Sequence, residues 1–259
     1  NLSKCDQIKE NSSKRGQIKE KESKKNKKEK KKIMAIGYNF TPKRKTNIFS
    51  FFNVTIVLIL INVITFILFT ILLGLNVPLD YIAIKPSNIL GGKYLWTFIT
   101  SMFMHGGFFH IFANMFSLLF LGSLIEKLLG RKRYLWFYMI SGLFAGLFFV
   151  LLSLIPIPFF SADINTFAVG ASGALFGLVG LLVLLTPNLP VYVMFIPIPI
   201  KMKYAGPGML VILWLISLAG NIPIGNTAHF GGLIVGIAYG LYLKNKYKKK
   251  TRYISQHFS

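Results

Sequence analysis

The chain has 259 residues, 53% of them hydrophobic, and its 30 lysines and arginines against 8 acids give a formal charge of +22. Such a charge on a soluble protein would point to nucleic acid, but 16 of the 30 cations precede residue 46 and six follow residue 243, flanking apolar runs that carry almost none. That segregation excludes an ordinary soluble domain, argues against a nucleic-acid partner, and suits basic flanks attracted to anionic lipid.

Residues 1–32 are rich in Lys, Glu, Ser and Asn with almost nothing to bury, and residues 1–46 are expected to form a basic, disordered cytoplasmic tail. "SKCDQIKE" and "SKRGQIKE" repeat ten residues apart within it, as low-complexity drift does. Cys5 stands alone, so no disulfide framework or metal cluster is expected. The sequence starts at Asn1 while Met34 lies just before the apolar body, which makes part of the tail a candidate start-site artefact. Residues 48–73 then run 26 positions without a charge, more than the roughly 20 residues a bilayer span requires. This run is too long for a signal peptide and lacks a small-residue cleavage site, so it reads as a retained helix.

Further apolar runs at 108–125, 133–154, 171–186, 204–220 and 226–243 make six helices in all, an all-α polytopic membrane protein with a membrane domain over 47–243 and a basic tail over 244–259. Cation placement agrees with this count. Lys127, Arg131, Lys132 and Arg133 lie between spans two and three, Lys201 and Lys203 between four and five, and Lys244 to Arg252 after six, whereas the opposite side has only Lys85 and Lys93. By the positive-inside rule both flanks are cytoplasmic. From Ser172 to Thr186, before Pro187, span four has 15 residues, about 22 Å of helix against a hydrocarbon layer of roughly 30 Å. It is expected to start below the outer face, with the loop over 155–170 (Pro156, Pro158, Asp163) dipping into the protein and Ser172 at the bottom of a wet cavity.

Three of the four histidines, His105, His110 and His229, lie in the membrane body, where ionisable groups are costly; His257 is in the tail. His110 and Asn114, four apart, share one helix face. Gly173, Gly177 and Gly180 on span four, and Gly232, Gly236 and Gly240 after His229, are small-residue faces that allow close helix approach. If those faces pack, Ser172 meets His229 as a nucleophile beside its base. The helix N-terminus at Ser172, with Asn114 and His110, could then stabilise an oxyanion. Each group also has a plain reading: Ser172 as an N-cap, His110 and Asn114 as interhelical hydrogen-bonders, His229 as an interfacial residue and the glycines as packing.

Together these residues resemble the rhomboid family of intramembrane serine proteases. Gly170-Ala171-Ser172-Gly173 looks like its GxSG motif, His105 with His110 and Asn114 like its HxxxxHxxxN pattern, and Ala228-His229 with Gly232 and Gly236 like its AHxxGxxxG motif. "GSLIEKLLG" from Gly122 looks like its GxxxExxxG, which would make Glu126 a structural hydrogen-bonding residue. The resemblance covers roughly 47–243 and implies a six-transmembrane-helix bundle with re-entrant outer loops. It also implies a dyad of Ser172 as nucleophile and His229 as base, with His110 and Asn114 as oxyanion stabilisers. Gly170, Gly173, Phe176, Glu126, His105, Gly232 and Gly236 would be in support. Departures are Trp96-Thr97, where the family often has Trp-Arg, and Phe176, where it usually has tyrosine.

The expected function is a serine endopeptidase that cuts transmembrane substrate helices near their outer ends, with no metal or organic cofactor. Span five and the first loop are candidate gates. The bare six-span form suits a bacterial or archaeal plasma membrane. An aspartyl or zinc intramembrane protease fits badly, since the chain lacks paired intramembrane acids and an HExxH. A catalytically inactive rhomboid-like chaperone is the nearer alternative and a transporter the more distant one.

Overall fold

Inside hydrocarbon every backbone N–H and C=O must pair within its own segment, so long apolar runs fold as helices. The computed structural model describes residues 53–155, 164–193, 197–220 and 225–258, with Glu20, Lys21, Ser23 and Lys24. The rest of the tail with Cys5 and Met34, the start of the first apolar run at 48–52, Pro156, Pro158, Asp163 and the His257 side chain lie outside the described residues.

Helix α1 (Val54–Gly74) leads into a loop with a single 3-10 turn (Leu79–Tyr81) and two short helices, α2 (Pro86–Leu90) and α3 (Thr97–Thr100). Then follow α4 (Phe108–Leu129) and α5 (Arg131–Leu152), and α6 (Ser172–Leu185). A two-residue antiparallel pair, β1 (Pro190–Val191) with β2 (Ile200–Lys201), precedes α7 (Met202–Gly220), α8 (Asn226–Lys246) and α9 (Lys248–His257). A helix is present at each of the six expected apolar runs. Four of them, α1, α4, α5 and α7, are long and apolar enough to cross a membrane by length and composition. Helix α6 is too short, and α8 is diluted by Asn226, Thr227 and His229 at one end and Lys244 and Lys246 at the other.

The short helix is the centre of the bundle. Every residue from Gly173 to Leu182 is buried, and Leu178, Leu181 and Leu182 are fully so. A helix apolar on all faces belongs inside protein, not against lipid. Its 14 residues span about 21 Å, so it need not cross the roughly 30 Å layer. Helices α1 and α7, by contrast, turn Ile64 and Leu218 outward, as lipid-facing helices do.

Helix α6 packs chiefly on α8 and α5. At the α8 contact the backbones touch: a Cβ added at Gly236 would overlap the Gly177 carbonyl oxygen and stand 2.8 Å from Leu181 N and 2.9 Å from Gly180 Cα. One at Gly232 would overlap the Gly173 carbonyl oxygen. The glycines of α6 also serve its other side, since a Cβ at Gly173 would stand 2.5 Å from Ala145 Cβ and one at Gly177 2.5 Å from Ser141 Cβ, both on α5. Gly240 differs from the expected glycine-on-glycine face, opposing the Leu184 side chain instead.

Helix α4 runs past the expected end at residue 125, through a π-helical turn at Leu118–Gly122, to Leu129. The charge at Glu126 does not end it because the carboxylate is buried and fully engaged. Oε1 accepts the Val54 N–H at 2.9 Å, and Oε2 accepts the Thr55 N–H at 2.9 Å and the Thr55 hydroxyl at 2.8 Å. Glu126 thus caps the first turn of α1, where unpaired N–H groups and the helix dipole favour a negative charge. Arg131 Nε lies 3.7 Å from Oε1. Gly130, at φ +83°, makes the turn that starts α5 at Arg131, two residues before the expected start.

Glu126→Ala should destabilise the protein by about 3 kcal/mol, because it strips a buried helix end of its acceptor; thermal unfolding in detergent measures it. Gly236→Val should cost at least about 1–3 kcal/mol by forcing α6 and α8 apart. Gly208→Ala on α7, where an added Cβ meets nothing within 4 Å, should leave stability unchanged or raise it by up to about 1 kcal/mol. Equal losses for the two glycine variants would refute the close-contact reading.

Candidate active site

The Ser172 hydroxyl and the His229 imidazole come from the first turns of α6 and α8, which the glycine contact holds side by side. Ser172 Oγ lies 2.8 Å from His229 Nε2, within hydrogen-bond reach for a nucleophile and its base. One expectation needs correction: Ser172 is not the cap of its helix. Ala171 occupies that position in α-helical geometry with no side-chain capping bond. Ser172 is the first helical residue, and its hydroxyl turns to His229 rather than back to the backbone. Among the described residues, no side chain caps the first N–H groups of α6.

His229 is buried at 7% exposure, and the Phe176 ring stacks on it with centroids 4.7 Å apart and planes at 21°. Phe176 lies one helical turn beyond Ser172, so the same helix carries the hydroxyl and the plate that holds the imidazole flat. With Nε2 facing the hydroxyl as acceptor, the ring proton belongs on Nδ1, which is buried with no hydrogen-bond partner among the described residues. No carboxylate hydrogen-bonds His229 there.

His110 faces the same space. The Gly106 N–H donates to His110 Nδ1 at 3.3 Å, which makes Nε2 the protonated, donating nitrogen of a neutral ring. A side chain built on Gly170 would place its Cβ 2.8 Å from that Nε2 and 3.6 Å from Ser172 Oγ. The space left open by Gly170, which has φ +120°, is thus bounded by one donor and one nucleophile. His105, 2% exposed, packs edge-on to His110 with centroids 5.1 Å apart. Asn114, also buried, donates its amide to the His110 carbonyl at 2.9 Å, one turn earlier on α4. That bond uses one of its two N–H groups and leaves one for another acceptor.

The chain before Ser172 is tied to the first loop. Ile84 and Ala168 exchange two backbone bonds of 3.2 and 2.9 Å, the Ser87 N–H donates to the Ile164 carbonyl at 2.9 Å, and the Gly170 N–H donates to the Ser101 carbonyl at 2.8 Å. The loop is braced in turn: Trp96 Nε1–H donates to the Tyr81 carbonyl at 3.0 Å, and the Thr97 hydroxyl to the Tyr94 carbonyl at 2.8 Å. Thr97 is therefore a buried turn residue. Asn88 donates to Asp80 at 2.8 Å, and with the Lys85 charge nearby holds that carboxyl below its ordinary range. Sequence reasoning did not find Ser101, Ile84 or Ala168. They act through backbone atoms, which leave no residue-type signal.

The sequence profile of the rhomboid domain family matches residues 92–246, more than half of the chain. Among curated proteins, RHOMBOID-like protein 1 of Arabidopsis thaliana is 37% identical over 161 residues, covering 61% of this chain and 37% of that protein. RHOMBOID-like protein 5 of the same plant is 32% identical over 176 residues, 66% of this chain and 52% of that one. Inactive RHOMBOID-like protein 8 is 32% identical over 143 residues, 54% of this chain and 36% of that one. The chain spans about a third to a half of the length of these relatives. A family match of this extent, laid over a multi-helix bundle of this kind, means that the chain belongs to the rhomboid family of multi-pass membrane proteins.

Proposed function

We propose that the protein is an intramembrane serine endopeptidase acting through a Ser172–His229 dyad. The 2.8 Å approach of the two side chains carries the reading. In the first step His229 Nε2 takes the Ser172 proton as Oγ attacks a substrate peptide carbonyl, giving a tetrahedral oxyanion. His229 then gives the proton to the leaving amine as the C–N bond breaks; a water molecule, deprotonated by the same ring, attacks the acyl carbonyl, and His229 returns that proton to Oγ as the acid leaves. The oxyanion lies against His110 Nε2–H, the backbone N–H groups opening α6 and the spare Asn114 amide proton. Phe176 and His105 hold the two rings, while Gly170 keeps the space between them open. No metal or organic cofactor takes part.

The substrates proposed are single transmembrane helices cut near their outer ends, unwound locally so that a carbonyl leaves its helical hydrogen bond. The exposed helix α7 and the first loop are the elements proposed to part for them. The 47–243 membrane domain is proposed to sit in a plasma membrane with its basic flanks, 1–46 and 244–259, on the cytoplasmic side, on the strength of the lysine and arginine bias. The relatives matched include plant and yeast proteins, and these lend no support to a specifically prokaryotic six-span type.

Cleavage of a model single-span substrate by the purified protein tests the reading. Ser172→Ala and His229→Ala should each reduce it to background; wild-type activity in either removes the dyad, and absence of cleavage by the wild-type chain favours an inactive relative. His110→Ala should lower kcat by about a hundredfold to a thousandfold, as loss of one oxyanion donor does. Gly170→Ala should abolish cleavage, because its methyl fills the space between His110 and Ser172, and should also lower the unfolding temperature, because φ +120° strains a residue with a Cβ; thermal unfolding in detergent separates the two effects.

A further inference from the structure

At the end of the bundle opposite the dyad, the last turns of α4, α6 and α8 and the first turn of α5 meet α9. Thr251 and Ile254 of α9, with Tyr247 just before the helix, line a recess against the bundle, and Thr251 is 8% exposed. Tyr253 points away at 65% exposure. Beneath α9 is a cavity of about 70 Å³. Leu129, Leu185, Leu243 and Ile254 form its apolar wall, and Arg133 and Lys250 also line it.

No acid is among the lining residues, and neither cation has a salt bridge among the described residues. The acid near this end, Glu126, is taken up by Val54, Thr55 and Arg131. Two cations beside an apolar hollow attract an anion, and the hollow itself attracts hydrocarbon. A free anion would satisfy only the first demand and a neutral lipid only the second. An anionic phospholipid meets both, and a basic recess at transmembrane helix ends is where its headgroup would lie.

We propose that this recess is a binding site for one anionic phospholipid, its phosphate against Arg133 and Lys250 and the first carbons of one acyl chain in the leucine-lined hollow. The volume admits a few such carbons and not two acyl chains, the rest of which would run outside along the helices. The lipid would join α9 to the ends of α4, α5, α6 and α8, so the carboxy-terminal basic segment docks on the bundle with lipid as its cement. This holds whatever reaction the dyad performs.

The test is thermal unfolding of the full chain in a neutral detergent with added phosphatidylglycerol, phosphatidylcholine or inorganic phosphate. Phosphatidylglycerol should raise the unfolding temperature saturably, and the other two should not. Arg133→Gln with Lys250→Gln should weaken the apparent affinity at least tenfold, and Lys250→Gln alone, at an exposed α9 position, should weaken it in the same direction should the double variant fail to fold. Lys248→Gln with Lys249→Gln, the same loss of charge on the same helix away from the recess, should leave affinity unchanged. An equal loss in that control would reduce the effect to diffuse attraction. An equal shift with phosphatidylcholine would remove the charge requirement, and one with phosphate alone would make this an anion site; each overturns the proposal.

Discussion

The structure depends on two helices whose backbones touch. Where a Cβ on Gly232 or Gly236 would stand, the carbonyl oxygens of Gly173 and Gly177 already are. In a bilayer there is little hydrophobic gain in bringing two apolar helices together, because lipid is as apolar as a leucine side chain. Close packing of main chain on main chain, with many small dispersion contacts, supplies the attraction instead. The same approach leaves Ser172 and His229, at the leading ends of these helices, 2.8 Å apart. Stability and the dyad's geometry therefore share one cause.

Polar groups in the bundle divide into two sets. Glu126 is answered on both oxygens by the start of α1 and locks the first helix to the second. His105, with both ring nitrogens unpartnered, and His229, with Nδ1 unpartnered, are buried without such answers among the described residues. An unanswered buried donor or acceptor weakens a fold. These unanswered groups gather around His110 and Ser172, so the bundle is less well satisfied there than at Glu126.

The first loop and the segment before α6 form a separate device. Paired backbone bonds between Ile84 and Ala168, with the Gly170 to Ser101 bond, hold Gly170 in the left-handed region that leaves space between His110 and Ser172. Irregular backbone can persist within a membrane domain only when its polar groups are satisfied in this way.

Much of this was legible in the residues. Uncharged runs of membrane-spanning length marked the long helices. Gly173, Gly177, Gly232 and Gly236 marked the packing faces, and Ser172 with His229 the candidate dyad. These are local properties, written in residue type and period. What was not legible needed the folded chain: that α6 is enclosed on all sides, that Ser172 bonds to His229 instead of capping its helix, that Glu126 reaches the start of α1 some 70 residues away, and that α9 closes over a leucine-lined hollow. The sequence by itself determined which long apolar segments are helical and which faces can approach closely, because apolar length and the absence of a Cβ are carried by each residue; the short helices α2 and α3 and the basic α9 left no such signal. The tertiary structure alone decided which distant backbone atoms and buried polar groups meet, because those contacts depend on how the helices pack and not on any pattern along the chain.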